Sequence, residues 1–300
     1  MKVLIIGAGN VGSHAAYLSL FSPKIDEVLI YDIQKDLVKG KVLDLSHASG
    51  VLKRDIKFTA VDNLSRCFAD IVVITAGMPR KEGMTRFDLL EVNTKIMQDT
   101  IENLNAELYT NAVFIIVSNP VDVLSYYFYK KTAISRNRLI GMAGALDTGR
   151  FRYYLHENLN EKISDSDPLV IGSHSKDMMC VYKKGNAALI NKAKEDTQNA
   201  GAKVVSYYKG GSAYFAPAAG IKVLIDAISE DRNEIVSSVA VLDGEYGYHD
   251  IALGVLARVS RAGISEIIEL KLSADEKEEL KSSIKGIIDA IFYLKEKNLI

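Results

Sequence analysis

A string of glycines that directly follows a short apolar run constrains this sequence more than any other feature. Residues 3–6 are apolar and rich in β-branched types, and Gly7-Ala8-Gly9-Asn10-Val11-Gly12 comes immediately after them. Residues 11–20 then carry a helical pattern. A buried strand, a glycine turn and a helix in this order predict the start of a βαβ unit, in which the helix N-terminus can face a bound phosphate group.

An acidic residue at the end of the next apolar run extends this pattern. Residues 28–31 form the run, and Asp32 follows it, twenty positions after Gly12. A carboxylate there accepts hydrogen bonds from the ribose hydroxyls of an adenine dinucleotide and repels a 2′-phosphate, so the pattern favours NAD over NADP. Gly7 would permit the tight turn, Gly9 the approach of the pyrophosphate, and Gly12 close packing of the helix on the sheet. The plainer alternative is a sharp turn beside a solvated strand end.

The apolar runs of the first half predict the fold class. Residues 3–6, 28–31, 71–75 and 113–117 are almost continuously apolar, which is typical of parallel strands that helices cover on both faces. Helical patterns lie between these runs, and the longest of them extends over residues 87–108. Repeated strand–helix–strand order indicates βαβ units with right-handed crossovers.

The pattern of apolar runs changes after about residue 142, because the strand-like runs become scattered. We therefore expect an α/β protein with a Rossmann-type doubly wound parallel sheet over residues 1–142, followed by a mixed α+β domain over residues 143–300. Ser273 and Glu276 predict a capping box at the start of the last helix.

The composition disfavours several classes of function. The chain has 37 basic and 38 acidic residues, so no overall positive field favours a nucleic acid partner. Its apolar runs fall far short of the ~20 residues that a membrane-spanning helix needs, and no signal peptide is predicted. Cys67 and Cys180 lie far apart, which excludes a disulfide framework and a cysteine zinc site. We expect a cytoplasmic protein with reduced thiols, no bound metal and no membrane partner.

Further short motifs run along the whole chain. They are Ala76-Gly77-x-Pro79-Arg80, Arg86, Ser118-Asn119-Pro120-Val121-Asp122, Leu146-Asp147-x-x-Arg150 and Gly172-x-His174. Together with the glycine string and Asp32, they make the chain resemble the lactate/malate dehydrogenase family from end to end, and specifically its lactate-dehydrogenase-like malate branch of archaea and some bacteria. The resemblance implies an NAD-dependent oxidoreductase of the tricarboxylic acid cycle that interconverts (S)-malate and oxaloacetate, works as a homodimer or homotetramer, and has a substrate-binding and catalytic second domain.

The resemblance also implies which residues carry out the chemistry. Oxidation of a 2-hydroxy acid removes a hydroxyl proton while a hydride leaves C2, and a histidine suits this proton transfer because its pKa lies near neutrality. By the family match His174 is this base, and Asp147 orients its imidazole and stabilises the protonated form. Arg86 resembles the residue that polarises the C2 carbonyl.

Four more positions resemble the substrate-binding residues of the family. Arg150 corresponds to the arginine that grips the C1 carboxylate, for which a planar guanidinium is well suited. Arg80 corresponds to the arginine that pairs with the second carboxylate in malate enzymes, where lactate enzymes carry a neutral residue. Asn119 would contact the substrate oxygen and the nicotinamide region, and Ser212 would supply a small hydroxyl at the back of the pocket.

The predicted cofactor-binding residues come from the glycine loop, from the ends of three further strands and, for Asn93, from the long helical pattern. They are Gly7, Gly9, Asn10, Val11, Gly12, Asp32, Thr75, Ala76, Gly77, Asn93, Val117 and Asn119.

One segment departs from the family pattern. The family usually reads Gly-Glu-His-Gly-Asp-Ser around the histidine, with a proline soon after, whereas residues 172–177 here read Gly-Ser-His-Ser-Lys-Asp and Cys180 replaces the proline. We expect Lys176 to lower the pKa of His174 or to change the conformation of this segment.

Three alternatives compete with this interpretation. The first is an enzyme of the same family that acts on lactate or another 2-hydroxy acid. A second is a short-chain dehydrogenase, because Tyr126 and Lys130, like Tyr127 and Lys131, have the Tyr-x-x-x-Lys spacing; the glycine loop does not fit that family. The third is a non-catalytic NAD-binding module.

Overall fold

A computed structural model describes residues 1–79, 83–164 and 168–300. Its strands are β1 (Lys2–Ile6), β2 (Glu27–Tyr31), β3 (Lys57–Ala60), β4 (Ile71–Ile74), β5 (Val113–Ile116), β6 (Leu139–Gly141), β7 (Leu169–Ile171), β8 (Met179–Val181), β9 (Glu234–Asp243), β10 (His249–Ser260) and β11 (Gly263–Ile268). Its helices are α1 (Asn10–Ser19), α2 (Lys35–Val51), α3 (Arg86–Asn103), α4 (Leu108–Asn111), α5 (Val121–Lys131), α6 (Gly144–Leu159), α7 (Ala187–Tyr208), α8 (Phe215–Ser229) and α9 (Ala274–Glu296).

The first six strands form a parallel sheet in the order β3-β2-β1-β4-β5-β6. The strand order reverses between β1 and β4, so the chain is doubly wound, as the sequence predicted. β4 and β5 consist entirely of buried residues, which explains why their sequences are continuously apolar rather than alternating. In open sheets of this kind, ligands bind beyond the carboxyl ends of the strands at the point of reversal.

The second half of the chain extends the same sheet with antiparallel strands. β9 joins β6 through the pairing of Gly141 with Val239, and β10 and β11 follow on its other side. A separate antiparallel pair, β7 and β8, is attached to β10 by a two-residue bridge between Gly172 and Gly254. This small hairpin carries the segment that contains His174.

Of two predicted helix boundaries, one is confirmed and the other is wrong. The capping box at Ser273 and Glu276 is present, because each backbone N–H donates to the other residue's side chain. The helix predicted over residues 87–108 instead ends at Asn103. Asn105 explains the break, since its side chain accepts the N–H of Glu107 and donates to the carbonyl of Cys67, which gives the backbone an alternative to continuing the helix.

Across the described ranges, no helix combines the length and the apolar character that crossing a bilayer demands.

The bridge that attaches the β7–β8 hairpin gives a prediction about stability. A Cβ atom at Gly254 would lie 2.3 Å from the carbonyl oxygen of Gly172, so Gly254→Ala forces the two backbones apart. We expect the substitution to lower the free energy of unfolding by about 1–3 kcal/mol, measured by thermal and urea denaturation. Gly50→Ala, where a Cβ would meet nothing within 4 Å, is the matched control, and equal stability of the two variants would contradict the prediction.

Candidate active site

The glycine loop after β1 has the geometry of a dinucleotide-binding turn. Gly7 has a φ of +105°, which L-residues rarely adopt, and its N–H donates to the carbonyl of Tyr31 at 2.8 Å. A Cβ at Gly12 would lie 1.9 Å from the Gly7 oxygen, so helix α1 can approach the strand only because position 12 lacks a side chain. Gly9 faces open space, since a Cβ there would meet nothing within 4 Å.

Asp32 fixes this loop from the end of β2. One carboxylate oxygen accepts the N–H of Ala8 at 2.7 Å, and the other accepts the N–H of Gln34 at 3.0 Å. The predicted acid therefore lies beside the glycine loop, as a ribose-binding residue requires.

Lys41 is a residue of this region that the sequence did not single out. It lies on the stripe of α2 that includes Val38 and Leu45, and its Nζ donates to the carbonyl of Ala8 and to Oγ of Ser13, the latter at 2.7 Å. Burial lowers its pKa, while the charge of Asp32 opposes this effect. A lysine on an otherwise apolar stripe was the only signal available in the sequence.

The loops after β4 and β5 meet the glycine loop and are tied to one another. Thr75 Oγ1 donates to the Gly7 carbonyl at 2.9 Å, and Ser118 Oγ donates to the Ala76 carbonyl at 2.5 Å. A Cβ at Gly77 would lie 3.3 Å from the side-chain oxygen of Asn93, so the β4 loop packs closely on α3.

Asn93 is buried in this arrangement and connects two loops. Its Oδ1 accepts the N–H of Met78 at 2.7 Å, and its Nδ2 donates to the Asn119 carbonyl at 2.6 Å. Its side chain therefore holds the loops in place, whereas Asn119 itself is exposed. Val117, which directly follows β5, is buried among the core residues.

His174 and Asp147 form the central polar contact of the second half. The imidazole Nδ1 lies 2.6 Å from Oδ2 of Asp147, and the other carboxylate oxygen accepts from Nη1 of Arg150 at 3.1 Å. Asp147 is 2% exposed. The three predicted residues therefore form one chain of contacts, in which the carboxylate of α6 lies between the guanidinium and the imidazole.

The pKa of His174 is raised, not lowered. Burial alone would lower it, but the charge of Asp147 and its hydrogen bond, together with the charge of Asp122, outweigh burial and the opposing charge of Arg150. The first alternative expected for Lys176, a lowered pKa of His174, was therefore wrong, whereas the second, a changed conformation of the segment, stays a prediction. The nearby carboxylates dominate because they are buried, whereas Lys176 is exposed and its field is screened by solvent.

Two side chains that were not predicted as site residues, Asp122 and Ser283, hold the backbone around His174. The His174 N–H donates to Oδ2 of Asp122 at 2.9 Å, and the Ser173 N–H donates to Oγ of Ser283 in α9 at 2.8 Å. The Ser173 hydroxyl lies 2.8 Å from that of Ser175 and 3.0 Å from that of Ser283. The contacts of Asp122 and Ser283 join residues far apart in sequence, so no local pattern could indicate them.

A cavity of about 480 Å³ brings several predicted residues together. His174, Arg86 and Asn119 line it, with Lys176 among the other lining residues. The guanidinium of Arg86 is bound to the carbonyl of Gly286 in α9 at 2.6 Å, so in this conformation it is held against that helix.

Two of the predicted substrate residues that the structure describes, Arg150 and Ser212, do not line this cavity. Ser212 is exposed in the segment between α7 and α8, outside the group of residues that surround His174. Arg80 lies outside the described residues.

Comparison with known proteins agrees with this geometry. Residues 1–141 match the family model described as lactate/malate dehydrogenase, NAD binding domain, and residues 144–297 match its alpha/beta C-terminal domain. The chain belongs to the lactate/malate dehydrogenase family.

Relatives of this dehydrogenase cover nearly its full length. A malate dehydrogenase of Bacillus cereus is 38% identical over 300 residues, covering 95% of this chain and 96% of its own, and one of Chlorobium chlorochromatii is 36% identical over 295 residues, with coverages of 94% and 95%. The malate dehydrogenase structure of Cryptosporidium parvum superimposes with a TM-score of 0.92 at 32% identity, covering 98% of this chain and 99% of that one. The lactate dehydrogenase of Eimeria maxima, with NADH and oxamate, gives 0.90 at 29% identity, with coverages of 100% and 96%.

The dehydrogenase is NAD-dependent, and its glycine loop fits this cofactor. The open space at Gly9 can admit a pyrophosphate, the N-terminus of α1 faces that space, and Asp32 is placed for the ribose hydroxyls.

Gly9 gives a prediction about cofactor binding. Because a Cβ there meets no protein atom, Gly9→Ala should fold with unchanged stability but obstruct the pyrophosphate, and we expect NADH affinity to fall about tenfold or more, a loss of about 1.4 kcal/mol. Fluorescence titration with NADH measures this loss. Gly40→Ala in α2, equally unobstructed, is the control; wild-type affinity in the Gly9 variant would refute the assignment.

Asp147 gives a prediction about pH dependence. Its carboxylate raises the pKa of His174 against the effect of burial, so Asp147→Asn should move the histidine midpoint of the kcat/KM profile to lower pH. Because the imidazole also loses its orientation, we expect kcat to fall by about 10⁴. Asp243→Asn is the matched control, since Asp243 contacts an exposed histidine, His249, at 3.1 Å. An unshifted midpoint in the Asp147 variant would be inconsistent with this account.

Proposed function

We propose that the protein is a malate dehydrogenase that interconverts (S)-malate and oxaloacetate with NAD and NADH. The observation that carries this proposal is the 2.6 Å contact between His174 and buried Asp147, beside a cavity that Arg86 and Asn119 also line. The full-length relatives named malate dehydrogenase support the same reaction.

His174 exchanges the substrate proton in this reaction. Because Nδ1 faces the Asp147 carboxylate, Nδ1 carries a hydrogen and Nε2 is the nitrogen that accepts the malate hydroxyl proton. In the reverse direction the imidazolium returns this proton to the C2 oxygen of oxaloacetate. The raised pKa of His174 increases the protonated fraction near neutral pH, which favours the reduction. NAD, when bound, supplies the hydride acceptor.

The arginines orient the substrate and stabilise the charge that develops on its oxygen. Arg150 uses one nitrogen to bind Asp147 and has further N–H donors for the C1 carboxylate. Arg86 lines the cavity and polarises the C2 carbonyl once its guanidinium leaves the Gly286 carbonyl. Asn119 contacts the substrate oxygen, and Ser212 reaches the pocket only if the segment between α7 and α8 moves inward.

Arg80 selects the four-carbon diacid by pairing with its second carboxylate. An arginine enclosed without an anionic partner suffers a large desolvation cost, so a three-carbon keto acid binds poorly. The alternative substrate is lactate or another 2-hydroxy acid, which the similar lactate dehydrogenase structure favours.

We further propose a cofactor domain over residues 1–142, a catalytic domain over residues 143–300 and a homo-oligomer located in the cytoplasm. Both cysteines are free thiols, which agrees with a reducing compartment. Exposed apolar side chains of α2, including Leu43 and Val51, support a subunit contact.

Steady-state oxidation of NADH tests the substrate. We expect kcat/KM for oxaloacetate to exceed that for pyruvate by at least about a thousandfold, because pyruvate leaves Arg80 unpaired. Arg80→Gln should reverse much of this preference while leaving NADH affinity unchanged, which serves as the internal control. Equal use of the two keto acids by the wild-type enzyme would favour the alternative substrate class.

A further inference from the structure

Two consecutive backbone amides at the catalytic histidine are held by side chains from two different helices. Ser283 of α9 accepts the N–H of Ser173, and Asp122 of α5 accepts the N–H of His174 at 2.9 Å. The first acceptor is a neutral hydroxyl and the second is a carboxyl group. The histidine backbone is therefore fixed between both halves of the chain, but only one of the two anchors can carry a charge.

The environment of Asp122 is unusual for an anchor that is only structural. The residue is 4% exposed, and its Oδ1 atom, which solvent does not reach, has no hydrogen-bond partner among the described residues. A buried, unsatisfied carboxyl oxygen is destabilising, and a neutral acceptor would hold the same amide without this cost. The position in the first turn of α5 offsets part of the cost, because the helix N-terminus favours a negative charge.

Charged groups face His174 from several elements. Asp147 and Arg150 of α6 lie on the Nδ1 side, and Asp122 of α5 lies at the backbone. Arg86 of α3 lines the same cavity, as do Lys176 and Asp177 from the histidine's own segment. Asp122 and Asp147 are the buried members of this set and therefore the least screened by solvent.

We propose that Asp122 is a positioning residue for His174, whose carboxylate fixes the histidine backbone and adds a second buried negative charge that favours the imidazolium. The proposal deepens the function proposed above and rests on the role of His174 in it. Asp122 is one of the residues that line the cavity, but in this role it acts through His174.

The protonation of Asp122 links this support to pH. Burial raises the pKa of Asp122 to about 6, although the amide and the charge of His174 oppose the rise. The charge of each of the two groups, Asp122 and His174, shifts the pKa of the other. The carboxylate stabilises the imidazolium above pH 6 and loses this effect as it becomes protonated at lower pH.

Asp122→Asn tests the proposal, because asparagine keeps the shape and an acceptor oxygen but removes the charge. The readout is the NMR titration of the His174 imidazole in the full-length protein without substrate, beside the pH profile of kcat/KM. We expect the histidine midpoint to fall by about one pH unit. Ser283→Ala, which removes the neutral anchor of the neighbouring amide, is the matched control and should leave the midpoint in place.

A midpoint in Asp122→Asn equal to those of the wild type and Ser283→Ala would overturn the proposal. Should the asparagine variant fail to fold, the wild-type protein still decides, because the protonation of Asp122 near pH 6 should appear as a second inflection in the imidazole signal of His174, and its absence contradicts the proposal. The NMR titration does not depend on catalysis. If the histidine midpoint shifts in Asp122→Asn but the enzyme does not reduce oxaloacetate, only the proposed reaction is contradicted. If the enzyme reduces oxaloacetate but the histidine midpoint does not shift in Asp122→Asn, only the proposed role of Asp122 is contradicted.

Discussion

The contact between Asp147 and His174 is the interaction on which the rest of the site depends. It joins helix α6 to the segment between β7 and β8, and the same carboxylate also holds Arg150. Because Asp147 is buried, its charge acts through a medium of low polarity and outweighs the tendency of burial to keep the imidazole neutral. One side chain thus orients the imidazole of His174, favours its protonated form and holds the guanidinium of Arg150.

The site is assembled from loops that the sheet brings to one edge and that buried side chains then connect. Asn93 ties the loop after β4 to the loop after β5, and Asp32 ties the glycine loop to the end of β2. Helix α9 completes the arrangement, because Ser283 holds the histidine segment while Gly286 binds Arg86. Groups from the first and last thirds of the chain therefore meet at a single cavity.

Much of the fold could be predicted, because its determinants are local. The continuously apolar runs predicted buried parallel strands, and the glycine string with Asp32 predicted the turn that the structure contains. Prediction failed where a competing local contact was decisive, as at Asn105, whose side chain ends the helix early. It also failed at Lys41, because a lysine on an apolar stripe looks like an exposed residue until the glycine loop folds against it.

The sequence alone determined the class of sheet, the position of the glycine turn and which residue types were available for chemistry, because backbone preferences and apolar periodicity act over a few neighbouring residues. Only the tertiary structure decided how those residues are used. Asp122 and His174, and likewise Ser173 and Ser283, are neighbours only after the chain has folded, because each pair is more than fifty positions apart in sequence. The tertiary structure also decided the pKa of His174, because this pKa depends on which charges are buried beside the imidazole.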